Sequence, residues 1–303
     1  MSAETWSIGE ALSWASSLLL NESQIAMQET EHRQSILRSE AEMLLQWAGS
    51  WNRVQLLSRL SEPIPAGVAE RFAEAVRDRA NSIPLQYITG SAGFYGREFA
   101  VDEGCLIPRP ETEWLVETAK EWITNHHRNA AVVDVGTGSG AIAVTLKLEC
   151  PGIQMRAVDV SEAALNIAQR NAKSFGAEVS FHYGDGIELV RSGNIQFNVL
   201  VTNPPYIPTG ELDSLDIEVR DFEPKTALDG GVEGLDFYRR LIEMGQGVFA
   251  PGSAALFAEV GAGQAEVVSR SFKESGKWNG WHFWTVADLR GIERIVAGSR
   301  GVI

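Results

Sequence analysis

The stretch Ala130-Ala131-Val132-Val133-Asp134-Val135-Gly136-Thr137-Gly138-Ser139-Gly140-Ala141-Ile142-Ala143-Val144-Thr145-Leu146 passes from a β-branched apolar run through a glycine loop into an apolar helical run. That order is strand, loop, helix, the opening unit of a parallel α/β sheet. Glycines let the backbone turn tightly and let a ligand approach without interference from a Cβ. A second short strand, Met155-Arg156-Ala157-Val158, ends at Asp159, at the distance beyond Gly140 where an acidic residue meets ribose hydroxyls in nucleotide-type sites. Ser161 has the chemistry of an N-cap for the next helix, which the pattern stops near Gly176. The third strand, Val179-Ser180-Phe181-His182-Tyr183, runs into Gly184-Asp185-Gly186. Because Ala141 follows Gly140, the loop by itself also satisfies the looser dinucleotide pattern, so a nicotinamide or flavin enzyme stays open at this point.

A fourth apolar run, Phe197-Asn198-Val199-Leu200-Val201-Thr202, reads as a buried strand and is followed by Asn203-Pro204-Pro205-Tyr206. Each proline holds φ near −65° and lacks an N–H, and a residue before proline is pushed out of the helical region. The turn is therefore stiff and rich in acceptors. The side-chain carbonyl of Asn203 and the backbone carbonyl of Pro204 can together hold both hydrogens of a planar NH2 group. The nitrogen lone pair then points in one direction, which a poor amide or aromatic-amine nucleophile needs before it attacks an electrophilic carbon. Tyr206 would flank the guest with its ring. The plain alternative is a proline-stiffened surface turn.

These four strand ends together resemble S-adenosylmethionine methyltransferases built on a doubly wound, mostly parallel Rossmann-like sheet. Such enzymes carry an acidic residue before the glycine loop, here Asp134, one after the second strand, Asp159, and one after the third, Asp185. All lie at the carboxyl ends of strands, where open α/β sheets bind ligands.

The chain has 303 residues, 44% hydrophobic and 22% charged, which is the composition of a globular protein. With 26 basic and 40 acidic residues its net charge is −14. That balance counts against broad nucleic-acid binding, which rests on clustered Lys and Arg neutralising phosphates. Cys105 and Cys150 form neither a disulfide framework nor a metal constellation with the histidines, and no metal is expected. No apolar stretch approaches the roughly 20 residues of a membrane span, and the acidic start Met1-Ser2-Ala3-Glu4 lacks the basic region of a targeting peptide. A cytoplasmic location is the expectation.

The first eighty or so residues carry a different pattern. Ile36, Leu37, Ala41, Leu44, Leu45 and Ala48 recur at helical spacing, as do Val68, Phe72, Ala75 and Val76, with Pro63 and Pro65 punctuating a loop. Residues 1–82 therefore read as a small helical domain, serving either substrate recognition or as a stabilising cap. Residues 83–113 read as a linker in which Gly90, Gly93 and Gly96 suit a β-hairpin. Residues 114–303 form the third part, the methyltransferase domain.

Within the linker, Pro84-Leu85-Gln86-Tyr87-Ile88-Thr89-Gly90, Phe94-Tyr95-Gly96, Phe99 and Leu106-Ile107-Pro108-Arg109-Pro110-Glu111-Thr112-Glu113 resemble the signature of the HemK/PrmC family of protein-glutamine N5-methyltransferases. The glycine loop, Asn203-Pro204-Pro205-Tyr206, Phe222-Glu223-Pro224-Lys225-Thr226-Ala227-Leu228 and Asp288 with Gly291-Ile292-Glu293-Arg294 continue the resemblance in order. It implies methyl transfer from S-adenosylmethionine to the glutamine of a Gly-Gly-Gln tripeptide in peptide chain release factors, modulating translation termination. A monomer is the expectation, with a release factor as protein partner and, from hydropathy and net charge, no membrane or direct nucleic-acid contact. Gly136, Thr137, Gly138, Ser139 and Gly140 would shape the pocket for the methionine part, Asp159 would take the ribose, and Asp185 with Gly186 would flank the adenine. Asn203 and Pro204 would hold the amide, with Pro205 and Tyr206 beside it. Family members often carry a bulky aromatic where this chain has Gly186. Other acceptors that suit the same turn are a ribosomal-protein glutamine and the exocyclic amine of a nucleic-acid base. A non-catalytic release-factor-binding module is the alternative from a different class.

Overall fold

In the computed structural model, residues 6–22, 30–193 and 196–301 are described, and the acidic start at residues 1–4 lies outside them. The chain forms two compact units. The first contains helices α1 (Ile8–Glu22), α2 (Thr30–Gly49), α3 (Arg53–Ser58), α4 (Ala66–Ala80) and α5 (Leu85–Thr89). Its core is the helical stripe expected from the sequence: Leu37, Ala41, Leu44 and Leu45 of α2 meet Phe72, Ala75 and Val76 of α4. Asn52 and Gln55 form a reciprocal capping box that starts α3. This unit extends to Gly90, beyond the residue 82 read from periodicity, and reclaims Ser214–Phe222 from far along the chain. Pattern reading misses such a return because the segment carries no periodic apolar stripe of its own.

The second unit opens with the hairpin β1 (Ser91–Phe94) and β2 (Arg97–Ala100), paired antiparallel with Phe94 opposite Arg97. Helix α6 (Thr112–His126) follows, then β3 (Ala131–Val135), α7 (Ala141–Glu149), β4 (Gln154–Asp159), α8 (Glu162–Phe175), β5 (Val179–Tyr183), α9 (Gly186–Arg191) and β6 (Val199–Thr202). Helix α10 (Ile217–Arg220) belongs to the segment returned to the first unit. The second unit resumes with α11 (Lys225–Leu228), α12 (Asp236–Met244), β7 (Ala254–Glu259), α13 (Ala265–Glu274), β8 (His282–Ala287) and β9 (Glu293–Arg300).

The seven-stranded sheet has the order β5-β4-β3-β6-β7-β9-β8, parallel from β5 to β7, with β9 antiparallel to both neighbours. Central strands are buried at every position and mostly apolar because helices cover both faces. Successive side chains alternate between two cores: Val132, Val199 and Val201 enter one, and Val133, Val135 and Leu200 the other. Strand order reverses between β3 and β6, so their carboxyl ends diverge into a crevice. The first strand pairs Val135 with Val158 on one side and Thr202 on the other, which brings the glycine loop, Asp159 and Asn203 to one edge.

Candidate active site

At the end of β3, Gly136 and Gly138 adopt φ of 76° and 56°, and a Cβ built on either meets no atom within 4 Å, so both present bare backbone to open space. The loop is tied down from behind. Gly136 and Thr137 donate their N–H groups to the Val158 carbonyl at 2.9 and 3.1 Å. Thr137 donates its hydroxyl to Asp134 at 2.7 Å, and the Ser139 carbonyl accepts from the Asn171 amide at 2.8 Å. Asp134 is fully buried, which pushes its carboxyl up to about 7.

Asp159 closes the second side. One of its oxygens accepts the Gly138 N–H at 2.8 Å, the other the Ser161 N–H at 2.9 Å. Burial raises its carboxyl above the ordinary range despite those backbone donors. Ser161 caps α8 as its chemistry requires, and Gly176 ends the helix in the left-handed conformation.

Asp185 caps α9 by accepting the Glu188 N–H at 3.2 Å, and its other oxygen accepts from Arg240 of α12 at 2.7 Å. Burial pushes this carboxyl up, but Arg240 and the backbone donors outweigh it and hold it below the usual range. Gly186 has a steric reason to lack a side chain, because a Cβ there would lie 2.3 Å from Cγ1 of Val135.

These groups enclose a cavity of about 240 Å³, lined by Gly136, Gly138, Asp159, Asp185, Gly186, Asn203 and Pro205 among others. Thr137 and Ser139 are instead buried behind the loop, where their hydrogen bonds shape it, and Gly140 abuts Ala168 of α8. Those three of the five loop positions expected around a ligand hold the wall and do not form its surface. Cys105, Val160, Phe237 and Arg240 also line the cavity and carry no motif that marks them, and Leu106, which opens the linker motif, lines it too. Phe237 and Arg240 are three apart on α12, a spacing that puts them on one face without saying what the face meets.

Asn203 follows β6 directly and donates its amide N–H to the Thr112 hydroxyl at 3.1 Å. Its oxygen is left as an acceptor. Among the described residues, neither that oxygen nor the Pro204 carbonyl accepts a hydrogen bond from the protein. Thr112 lies at the start of α6 and is itself buried. Pro204 is buried and Tyr206 half-buried against the core, with the Tyr206 carbonyl held by Gln264 at 2.9 Å. The Tyr206 ring thus supports the turn from behind, and burial pushes its hydroxyl up to about 12. Glu223, also buried, binds Arg109 and the Ile107 N–H and so fixes the segment that carries Thr112.

The arrangement fits S-adenosylmethionine. Bare glycine backbone, two carboxylates at adjacent strand ends and an apolar wall suit a nucleoside with a charged tail, and Asn203 and Pro205 line the cavity where β3 and β6 diverge.

Comparison with known proteins agrees with this reading. Residues 10–90 match the PrmC N-terminal domain family and residues 111–218 the Methyltransferase small domain family. Over 289 residues the chain is 38% identical to the release factor glutamine methyltransferase of Bacillus cereus, spanning 95% of this chain and 97% of that one. The release factor glutamine methyltransferase of Geobacter sulfurreducens is also 38% identical, over 98% of each chain. The solved catalytic domain of hMettl16, in complex with MAT2A 3'UTR hairpin 6, shares the fold at a TM-score of 0.50 and 14% identity, covering 76% of this chain and 80% of that one.

Proposed function

The chain belongs to the family of release factor glutamine methyltransferases, and from that premise we propose that Asn203 and Pro204 hold the glutamine amide of a Gly-Gly-Gln tripeptide while it is methylated on N5. The observation that carries this assignment is the hydrogen bond from the Asn203 amide to Thr112, which leaves the Asn203 oxygen as an acceptor at the cavity. S-adenosylmethionine is the cofactor, and when bound it supplies an electrophilic methyl group on a sulfonium.

The Asn203 oxygen and the Pro204 carbonyl accept the two amide hydrogens and turn the nitrogen lone pair toward the cavity. Positive charge growing on that nitrogen is stabilised by the same two acceptors, so the clamp favours the transition state over the ground state. The extra proton leaves the nitrogen afterwards, and no side chain is needed as a dedicated base. Gly136 and Gly138 admit the cofactor's tail against backbone, Asp159 takes ribose hydroxyls on its remaining lone pairs, and Asp185 with Gly186 lies at the adenine end. The net charge of −14 supports a protein substrate over a nucleic acid. A cytoplasmic monomer is the matching expectation. In the helical unit, Met43 and Trp47 of α2 with Val54 and Leu57 of α3 are exposed, which supports a role in engaging the substrate protein.

The test is methyl transfer from labelled S-adenosylmethionine to a purified release factor, to the same factor with alanine for the tripeptide glutamine, and by an Asn203→Ala enzyme. Label should enter only the glutamine-bearing factor, and Asn203→Ala should lose turnover by at least about a hundredfold while still binding cofactor. Equal labelling of both factors, or near-normal turnover by the variant, would overturn the assignment.

A further inference from the structure

Adenine is a flat aromatic base, and a pocket that holds one gains from an aromatic side chain laid against its face. At Gly186 this chain has no side chain for that task and no room for one, since a Cβ there would stand 2.3 Å from Val135 Cγ1. The cavity wall offers a ring from another element. Among the described residues that line the cavity, Phe237 of α12 is the one aromatic side chain. Tyr206 supports the clamp turn from behind and does not line the cavity, and neither does Tyr183 at the end of β5.

Phe237 lies toward the Asp185 end. One turn further along α12, Arg240 donates to Asp185 at 2.7 Å, which holds the helix against the cap of α9. Positions i and i+3 share a helix face, so the Phe237 ring is on the side of that ion pair. Phe237 is half-buried and packs against the core that contains Val135, the residue that fills the space beside Gly186. The same ring, with Pro205 and Arg240, also lines a second cavity of about 320 Å³. It therefore borders open space twice, unlike the fully buried ring of Phe272 in the same core.

We infer that Phe237 covers the face of the adenine, reaching it from α12 where the backbone after Asp185 carries no side chain. The inference rests on the placement of the adenine at Asp185 and Gly186. A phenyl ring has no donor or acceptor, so its contribution is dispersion, apolar burial and the offset stacking of two π-systems. Choice among bases is left to the polar groups at the edge of the base, while Phe237 sets how tightly a flat base is held.

The experiment titrates S-adenosylhomocysteine into the wild type and into Phe237→Ala, Phe237→Leu, Phe237→Tyr and Asp185→Ala by calorimetry, with thermal melts of the free proteins and proton NMR of the bound ligand. Phe237→Ala should raise the dissociation constant about tenfold, the scale of one lost base–aromatic stack. Phe237→Leu keeps an apolar side chain against the core and removes only the ring, so it should melt near the wild type and bind about threefold more weakly. Phe237→Tyr, which keeps the ring, should bind as the wild type does. In the wild type the adenine H2 and H8 signals should move upfield on binding, because they lie in the ring current of Phe237, and Phe237→Leu should abolish that movement. Wild-type affinity in Phe237→Ala and Phe237→Leu, or adenine signals that move alike in the wild type and Phe237→Leu, would overturn the inference. Asp185→Ala tells the two failures apart: if it binds weakly while the Phe237 variants bind normally, only the role of Phe237 fails, whereas if all bind normally, the placement of the adenine fails first.

Discussion

The Asp159 carboxylate accepts the Gly138 N–H at 2.8 Å, so the residue that would hold the ribose also fixes the loop that would cradle the rest of the cofactor. The two tasks are coupled through one side chain. Asp159→Ala should raise the dissociation constant of S-adenosylmethionine by roughly ten- to a hundredfold, the effect of losing one or two charge-assisted hydrogen bonds. Calorimetry reads this directly, and an unchanged affinity would remove Asp159 from the site.

Gly186 packs against Val135 so closely that even one methyl group is excluded, since its Cβ would meet Val135 Cγ1 at 2.3 Å. Gly186→Ala should therefore destabilise the fold by about 1–3 kcal/mol, as overpacking does. Adding Val135→Ala should recover part of that loss, because it deletes the clashing carbon. Thermal melts of the two single variants and the double variant test the coupling, and simple additivity would contradict it.

In the helical unit, Arg79 is 2% exposed and binds Glu40 at 2.8 and 3.0 Å, the Ile83 carbonyl at 3.0 Å and Glu218 of the returned segment at 2.6 Å. Arg79→Met fills the space but strands those acceptors. It should cost about 3 kcal/mol. Limited proteolysis should then cut within Ser214–Phe222 sooner than in the wild type, and equal cleavage rates would argue that Arg79 does not hold that segment.

Asp134 gives a pH signature in stability. Its carboxyl sits at about 7 when folded, against an ordinary value of roughly 4 when unfolded. Between those values the native state holds a proton that the unfolded chain has released, so stability is greatest below the unfolded value and falls as pH rises through the folded one. Asp134→Asn can still accept the Thr137 hydroxyl and carries no proton to lose. Denaturant midpoints on the two sides of that interval should differ less for the variant than for the wild type. A residual slope from Glu259, shifted in the same direction, should remain.

Much of the fold was legible because it rests on local rules. Alternating burial, the glycine loop, the Ser161 cap and the Gly176 stop each depend on a few neighbouring residues, and β5 begins and ends where the pattern places it. The fourth strand is shorter than its apolar run, since Phe197 lies outside the ladder and meets Phe249 edge-to-face in the core. The candidate ligand surface was only partly legible. Thr137, Ser139 and Gly140 share the loop with Gly136 and Gly138, and only the folded path decides which residues face the cavity.

The sequence by itself determined the sheet class, the order of the strand ends and the acceptor chemistry of Asn203-Pro204-Pro205-Tyr206, because propensity, proline geometry and side-chain inventory are properties of short segments. Only the tertiary structure brings Thr112, 91 residues earlier in the chain, under the Asn203 amide N–H and buries Glu259 at the end of β7. A buried carboxylate leaves no mark in a sequence, because its consequence comes from desolvation, and desolvation exists only once β7, α6 and the turn after β6 have closed around it.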